Sequence, residues 1–498
     1  MRTTTYLALV TTGILIIVYL YKKLTKHLTT IHLERKNGCV QPIKYPHKDP
    51  LFGLNFFFKM GAAMKTGKVL QTNRELYATY GKPFQSNSWG TPVIHTCESE
   101  NIKTVLALSF GSFGRVKVKP EKGGGSLEAQ GIFTADGKIW QRSRALIRPT
   151  FARTEISNFG ALEKHVARFL ELLPCDDSTV DLQPLTKNLF LDISTEFLFG
   201  ESVESQSPNT PFDAREFLDA FDMTMRGLGA RMMLGKLKFI RGRDIEWKKA
   251  FGKVHAYIDK HVSRVLESQK SAKNREEEEK SPIQKQKRRI RLIYAISFYL
   301  FIPAHDATSI AVSDVFFHLA RDADRWDKLR REVLAATTGQ TLSFEVLKSM
   351  KYLRYVSVST PPQAFYGEYV TKDTILPLSG GPDGKAPFLV KKGSDITCDI
   401  HALHRDKSYW GSDADDFRPE RWETLRPTWE YLPFSGGPRI CPAQQMVFID
   451  SAYIIVRVMQ KFSKMESRDS RPWIELFRMA VENGNGVRIR LVQDGLDV

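Results

Sequence analysis

The stretch Phe434-Ser-Gly-Gly-Pro-Arg-Ile-Cys441-Pro-Ala443 constrains this chain more than any other. It sets a cysteine in a glycine-rich turn, an arginine two residues before it, and an amphipathic run from Pro442 to Phe462 directly after it. That order presents Cys441 at a helix N-terminus, with Pro442 suited to the first helical position because its missing N–H costs nothing there. The helix dipole and nearby free N–H groups favour a thiolate over a thiol, so the sulfur reads as a ligand or a nucleophile. Free cysteines in general are more often small buried hydrophobes. The surrounding pattern has to decide.

Length and charge narrow the classes. A chain of 498 residues is long for one core but within reach of a single large catalytic domain. With 42% hydrophobic and 26% charged residues it has the composition of an ordinary globular protein, so a disordered or fibrous chain is excluded. The formal net charge of +17 calls for an acidic partner or an anionic membrane surface. Nucleic acid is disfavoured, because no basic stripe with interleaved aromatics and no zinc-finger or helix-turn-helix spacing is present. The cysteines Cys39, Cys97, Cys175, Cys398 and Cys441 are odd in number and lack C-x-x-C spacing, which fits a reducing compartment.

The N-terminus predicts a membrane anchor. Thr3 to Tyr21 is uncharged and apolar enough to read as a single transmembrane helix. No A-x-A-like cleavage site follows it, and Lys22, Lys23, Lys26, Arg35 and Lys36 do, so the remainder belongs on the cytoplasmic side. Residues 22–55 then read as a basic, Pro/Gly-punctuated linker and 56–498 as the main domain.

Apolar periodicity makes that domain mainly α with small β-sheets. Helices are predicted over Lys65–Tyr80, Ser99–Leu108, Ser157–Leu173, Asp181–Phe199 with Gly200 as its C-cap, Phe212–Leu228, Asp244–Glu267 and Asp324–Ala336. Strands are predicted at Pro92–Thr96 and Asp395–Asp399, with a hairpin over Asp373–Val390. Gly111–Gly131 reads as a loop and Asn274–Arg291 as a solvated charged segment. Within Gly131–Phe151, Trp140 and Arg144 stand at i and i+4 on one helical face. Leu292–Arg321 is a strongly apolar helix that Pro303 should kink or cap.

The decapeptide pattern F-x-x-G-x-R-x-C-x-A resembles the haem-binding loop of the cytochrome P-450 family. The resemblance implies that fold, a haem b cofactor, and Cys441 as the axial thiolate ligand of its iron. It implies that Phe434 packs near the sulfur, that Gly437 lets backbone N–H groups approach it, and that Arg439 pairs with a haem propionate. Trp140 and Arg144 resemble the family's W-x-x-x-R helix, whose side chains also reach a propionate. The segment Pro303, Ala304, Asp306, Ala307, Thr308 aligns with the family's oxygen-activating A-G-x-D-T-T signature, which makes Asp306 and Thr308 the catalytic candidates. The aligned first threonine is Ala307. The family's E-x-x-R charge lock is absent after KYLRYV, although its expected third partner, Arg421 in FRPERW, is present.

The segments YPHKDPLFGLN, GGPDG and YLPFSGGPRIC most resemble the fungal microsomal branch that hydroxylates alkanes and fatty acids. The resemblance implies a monooxygenase of the endoplasmic reticulum membrane, acting on long apolar substrates and fed by an NADPH-dependent flavoprotein reductase. The altered signature and missing lock leave a second reading open: an impaired relative that binds haem weakly, or a chain with coding segments omitted. A cysteine-nucleophile hydrolase is disfavoured, because no nucleophile elbow surrounds Cys441.

Overall fold

The helix that follows the cysteine loop is buried on almost every side. It runs Gln444–Lys461, and every residue from Ile449 to Val456 in it is buried. Burial on nearly every side puts this helix at the centre of a core, even though Asp450, Ser451, Arg457 and Gln460 interrupt its apolar surface. The computed structural model describes residues 2–49, 51–115, 132–133, 135–153, 159–234, 244–273, 305–360, 365–381, 383–477 and 480–493. Most of the predicted Gly111–Gly131 loop, the charged run Asn274–Arg291, and Pro303 and Ala304 lie outside the described residues.

The described chain is mainly helical with small sheets, as its periodicity predicts. For the helices used below, α1 is Arg2–Lys36, α2 Gly137–Ile147, α3 Phe159–Glu171, α4 Leu182–Phe199, α5 residues 305–319, α6 Ala323–Thr337, α7 Lys351–Val358 and α8 Gln444–Lys461. The chain divides into two compact units. The first comprises Met1–Phe57, Asn73–Gly114 and Gly367–Asp399, and the second comprises Phe58–Thr72, Arg115–Tyr366 and Ile400–Val498.

The first unit holds a six-stranded mixed sheet and the hairpin Thr374–Gly380/Ala386–Val390. In the sheet, Phe84–Ser88 pairs antiparallel with Thr91–Thr96, which pairs parallel with Asp395–Asp399. The helix predicted over Lys65–Tyr80 starts at Val69 instead, set off from a preceding helix, Leu54–Lys65, at Gly67 with φ +61°. Only glycine adopts that left-handed conformation without strain, and it stops the first helix.

Helix α1 extends to Lys36, fifteen residues into the expected linker. The anchor expected over residues 3–21 is not supported. Among the described residues no helix is long and apolar enough to cross a membrane.

The second unit is built round α8. Trp326 and Leu329 of α6, Phe316 of α5, Val356 of α7 and Phe169 of α3 are buried in one cluster with Ile454, Ile455 and Val456. Polar anchors fix the packing: Trp326 Nε1 donates to Ser463 O at 2.8 Å, and Tyr453 OH donates to Glu163 Oε2 at 2.6 Å. The caps follow the sequence rules. Asp181 accepts from Gln183 N at the start of α4, and Gly200 ends it with φ +80°.

Helix α8 also buries a carboxyl group. Desolvation lifts Asp450 to about 7. An unfolded aspartate titrates near 3.9, so this group's contribution to stability is fully present below about pH 4 and is lost as pH rises through about 7. Asp450→Asn should therefore stabilise the protein at pH 8, by up to about 4 kcal/mol for a three-unit shift, with the gain vanishing near pH 4. Urea unfolding of both proteins across that range checks it, and a pH-independent difference would remove Asp450 as the cause.

Candidate functional site

The cysteine loop is closed on itself. Cys441 N donates to Phe434 O at 3.0 Å, Ser435 N to Leu432 O at 3.2 Å, and Ile440 N to Gly437 O at 3.1 Å. Gly437 has φ +65° and opens the short turn Gly437–Arg439. At Gly436 a Cβ would come within 2.7 Å of the Trp429 ring, so both glycines are required for different reasons. Phe434 meets Phe448 of α8 edge-on at 5.1 Å between centroids, which pins the loop to the central helix.

Helix α8 starts later than predicted, at Gln444 with Ala443 as its N-cap. Pro442 therefore precedes the cap instead of opening the helix. The thiol is half-buried. Burial pushes its pKa up, against a backbone hydrogen bond at Ala443 and the Arg144 guanidinium, which pull it down. The net direction is upward, so the expected thiolate is not secured by the helix end alone, because desolvation of the anion outweighs both.

Two arginines converge on this loop. Arg144, one turn beyond Trp140 on α2, is pushed down by burial and held up by Cys441. Arg439 places its guanidinium 4.7 Å from the Trp140 ring centroid. It also donates to Ala135 O at 2.9 Å, to Ile132 O at 3.3 Å and to Asp136 Oδ1 at 2.5 Å. Trp140, Arg144, Phe434, Gly437, Arg439 and Cys441 are thus assembled around one loop. Asp136 was missed because nothing in its local sequence marks it as Arg439's partner.

Beside the loop lies a cavity lined by Ala311 and Val315 of α5, Phe434, and Val447, Phe448 and Ser451 of α8. With 100° per residue, Thr308 lies about 20° round α5 from Val315, whereas Asp306 lies about 180° away. Thr308 is buried. The adjoining serine face of α5 is tied elsewhere, since Ser309 Oγ donates to Asp306 O and Ser313 Oγ lies 2.7 Å from Thr186 Oγ1 of α4. The structure therefore sets Thr308 on the cavity's side of the helix and leaves Asp306 on the other.

The charge lock is replaced by other contacts. Arg421 donates to three backbone carbonyls, Trp410 O at 3.2 Å, Asp413 O at 2.7 Å and Asp416 O at 3.3 Å. The start of α7 is held by Glu332 of α6, whose carboxylate accepts from Tyr352 N at 2.9 Å and Leu353 N at 2.8 Å. Glu420 accepts from Tyr352 OH at 2.7 Å and Lys328 Nζ at 3.1 Å. Partial burial opposes its ionisation, yet these partners hold it down at about 2.

Comparison with known proteins decides what this assembly is. The cytochrome P450 family model matches residues 44–359 and 365–485. The chain belongs to the cytochrome P450 family. It is 37% identical over 478 residues to the cytochrome P450 monooxygenase iccC of Talaromyces variabilis, covering 92% of this chain and 93% of that protein. It is 35% identical to apdE of Emericella nidulans, covering 92% and 90%, and 34% identical to FPY7 of Fusarium mangiferae, covering 95% of each. Both are also named cytochrome P450 monooxygenases. The family match breaks between residues 359 and 365, just after α7.

This P450 is an oxidoreductase of the monooxygenase type, and its family implies haem held by a cysteine thiolate. The residues present fit that group. A sulfur donor suits iron, and Arg144 and Arg439 beside it suit the group's carboxylates.

Arg439 tests the loop's geometry. Arg439→Lys keeps the charge but loses the fork that reaches Ala135, Ile132 and Asp136 together. It should lower unfolding free energy by about 1–3 kcal/mol in urea titration. A change below about 0.5 kcal/mol would mean that the fork is not holding α2 to the loop.

Proposed function

We propose that this P450 is a membrane-bound monooxygenase that hydroxylates long apolar chains, n-alkanes or fatty acids, using electrons passed from NADPH by a flavoprotein reductase. The observation that carries the haem reading is the convergence of Cys441, Arg144 and Arg439 beside a cavity walled by Ala311, Val315 and Phe448. The substrate class rests on the resemblance of the GGPDG and YPHKDPLFGLN segments to the alkane- and fatty-acid-hydroxylating branch.

When bound, thiolate-ligated haem supplies the oxygen-activating redox chemistry. The chain's own residues bind and orient it. Cys441 Sγ would ligate the iron, Arg144 and Arg439 would hold the group's carboxylates with Trp140 stacked against Arg439, and Phe434 would shield the sulfur. Thr308 Oγ1, on the cavity's side of α5, is the hydroxyl placed to hold a proton there. Asp306, on the far side, reaches that path only through water.

The endoplasmic reticulum membrane is the proposed location, with the catalytic domain cytosolic. In α1 the side chains of Ile14, Leu15, Ile16, Ile17, Leu20, Leu24 and Leu28 are exposed, and Lys22 and Lys23 follow the apolar run. Exposed apolar side chains of this kind insert into lipid while the lysines meet anionic headgroups. The charge of +17 also suits an acidic reductase.

A second reading, a relative with impaired turnover, is favoured by Ala307 and by Arg421, whose hydrogen bonds go to backbone carbonyls.

Two measurements separate these readings. Reduction under carbon monoxide should give the red-shifted Soret band of thiolate-ligated haem, and Cys441→Ala should abolish it. Folded protein without the band would sink the haem reading. In NADPH turnover with reductase and a long-chain fatty acid, peroxide should exceed hydroxylated product, and Ala307→Thr should reverse that ratio. Tight coupling in the parent protein would dismiss the impaired reading.

A further inference from the structure

A cavity of about 60 Å³ lies between the 404–431 segment, α5 and the end of α7, and neither the haem loop nor its arginines line it. Its walls include His318, His404, Trp410, Arg421, Trp422 and Tyr431. A water needs roughly 10–15 Å³ of such space, so there is room for a few non-hydrogen atoms.

Most polar groups on the wall are spent. Trp410 Nε1 donates to Leu403 O at 3.0 Å, Trp422 Nε1 to Ser359 Oγ at 2.9 Å, and Tyr431 OH to Val358 O at 2.6 Å. His404 differs. Its Nε2 accepts from Leu432 N at 2.8 Å, which fixes the proton on Nδ1. That Nδ1 is buried and has no hydrogen-bond partner, in a side chain only 7% exposed. Burial, reinforced by Arg405, holds the ring down at about 3, so at neutral pH it carries a single N–H. A buried donor left unmade is costly, and such groups ordinarily have a partner.

Arg421 is the second donor. Its N–H groups reach carbonyl oxygens, while the carboxylate paired with it, Asp413 Oδ2, stands 3.6 Å away and is shared with Arg418. Carbonyls satisfy hydrogen bonds but neutralise little charge. The ligand that answers both groups is an anion with two acceptor oxygens, one for an Arg421 N–H not given to a carbonyl and one for His404 Nδ1. Asp415 and Asp416 line the same space and disfavour a doubly charged anion such as phosphate or sulfate. The indole and phenol rings suit an alkyl stub.

We propose that this cavity binds a short monocarboxylate of formate or acetate size, accepting from Arg421 and from His404 Nδ1. The bound anion joins His404 to Arg421 across the 404–431 segment, and it stabilises the fold without entering the reaction.

The test uses the full-length haem-loaded protein at pH 7.5. Its thermal midpoint is followed in sodium acetate, with sodium chloride and acetamide as controls at matched concentration. Acetate should raise the midpoint saturably, with half-effect on the order of millimolar, and neither control should. His404→Phe should weaken the acetate effect roughly tenfold and leave the carbon monoxide band unchanged. A non-saturating rise, an equal rise with chloride or acetamide, or an acetate response undiminished in His404→Phe would overturn the proposal. The acetate-to-acetamide comparison in the unsubstituted protein decides even where the variant does not fold.

Discussion

The hydrogen bond from Cys441 N–H to Phe434 O is the contact on which the site depends. It folds eight residues back on themselves so that the sulfur emerges beside α8 instead of along it. Gly437 makes the reversal sterically possible with φ +65°, and Gly436 lets Trp429 lie against it. Phe434 then locks the loop to Phe448. Removing any one of these contacts would move the sulfur relative to a helix buried on nearly every side.

That rigidity is paired with unfavourable electrostatics. Burial pushes the Cys441 thiol up and Arg144 down, so each charge resists forming alone. Their mutual attraction offsets part of this, and a metal at the sulfur would remove the remainder by deprotonating it outright. Arg439 meets the same problem differently. It spreads its charge over the Trp140 face, two carbonyls and Asp136. A cluster of cations held this way beside a thiol is ready for a dianionic macrocycle, and the family assignment supplies it.

The truncated lock shows how a fold absorbs a loss. The resemblance leads one to expect a carboxylate and a second guanidinium behind the loop; α7 ends before supplying either. Arg421 turned to carbonyl oxygens, and Glu332 took over the start of α7. Asp413, 3.6 Å from Arg421, is the carboxylate paired with it, and His404 Nδ1 nearby has no hydrogen-bond partner. The haem loop itself is closed by its own backbone, so it survives the change.

By itself the sequence determined the helical class, the cap at Gly200, the strand at Asp395–Asp399 and the loop that carries Cys441, because these follow from local periodicity, turn chemistry and a fixed motif. It also placed Trp140 and Arg144 on one helical face. Only the tertiary structure decided that Pro442 precedes the helix, that α8 is central, and that burial dominates the thiol. It also assigned Asp136 to Arg439 and set Asp306 opposite the cavity face of α5. Those outcomes depend on what lies across the core, sometimes hundreds of residues away in the chain, and desolvation and long-range partners leave no trace in a local pattern.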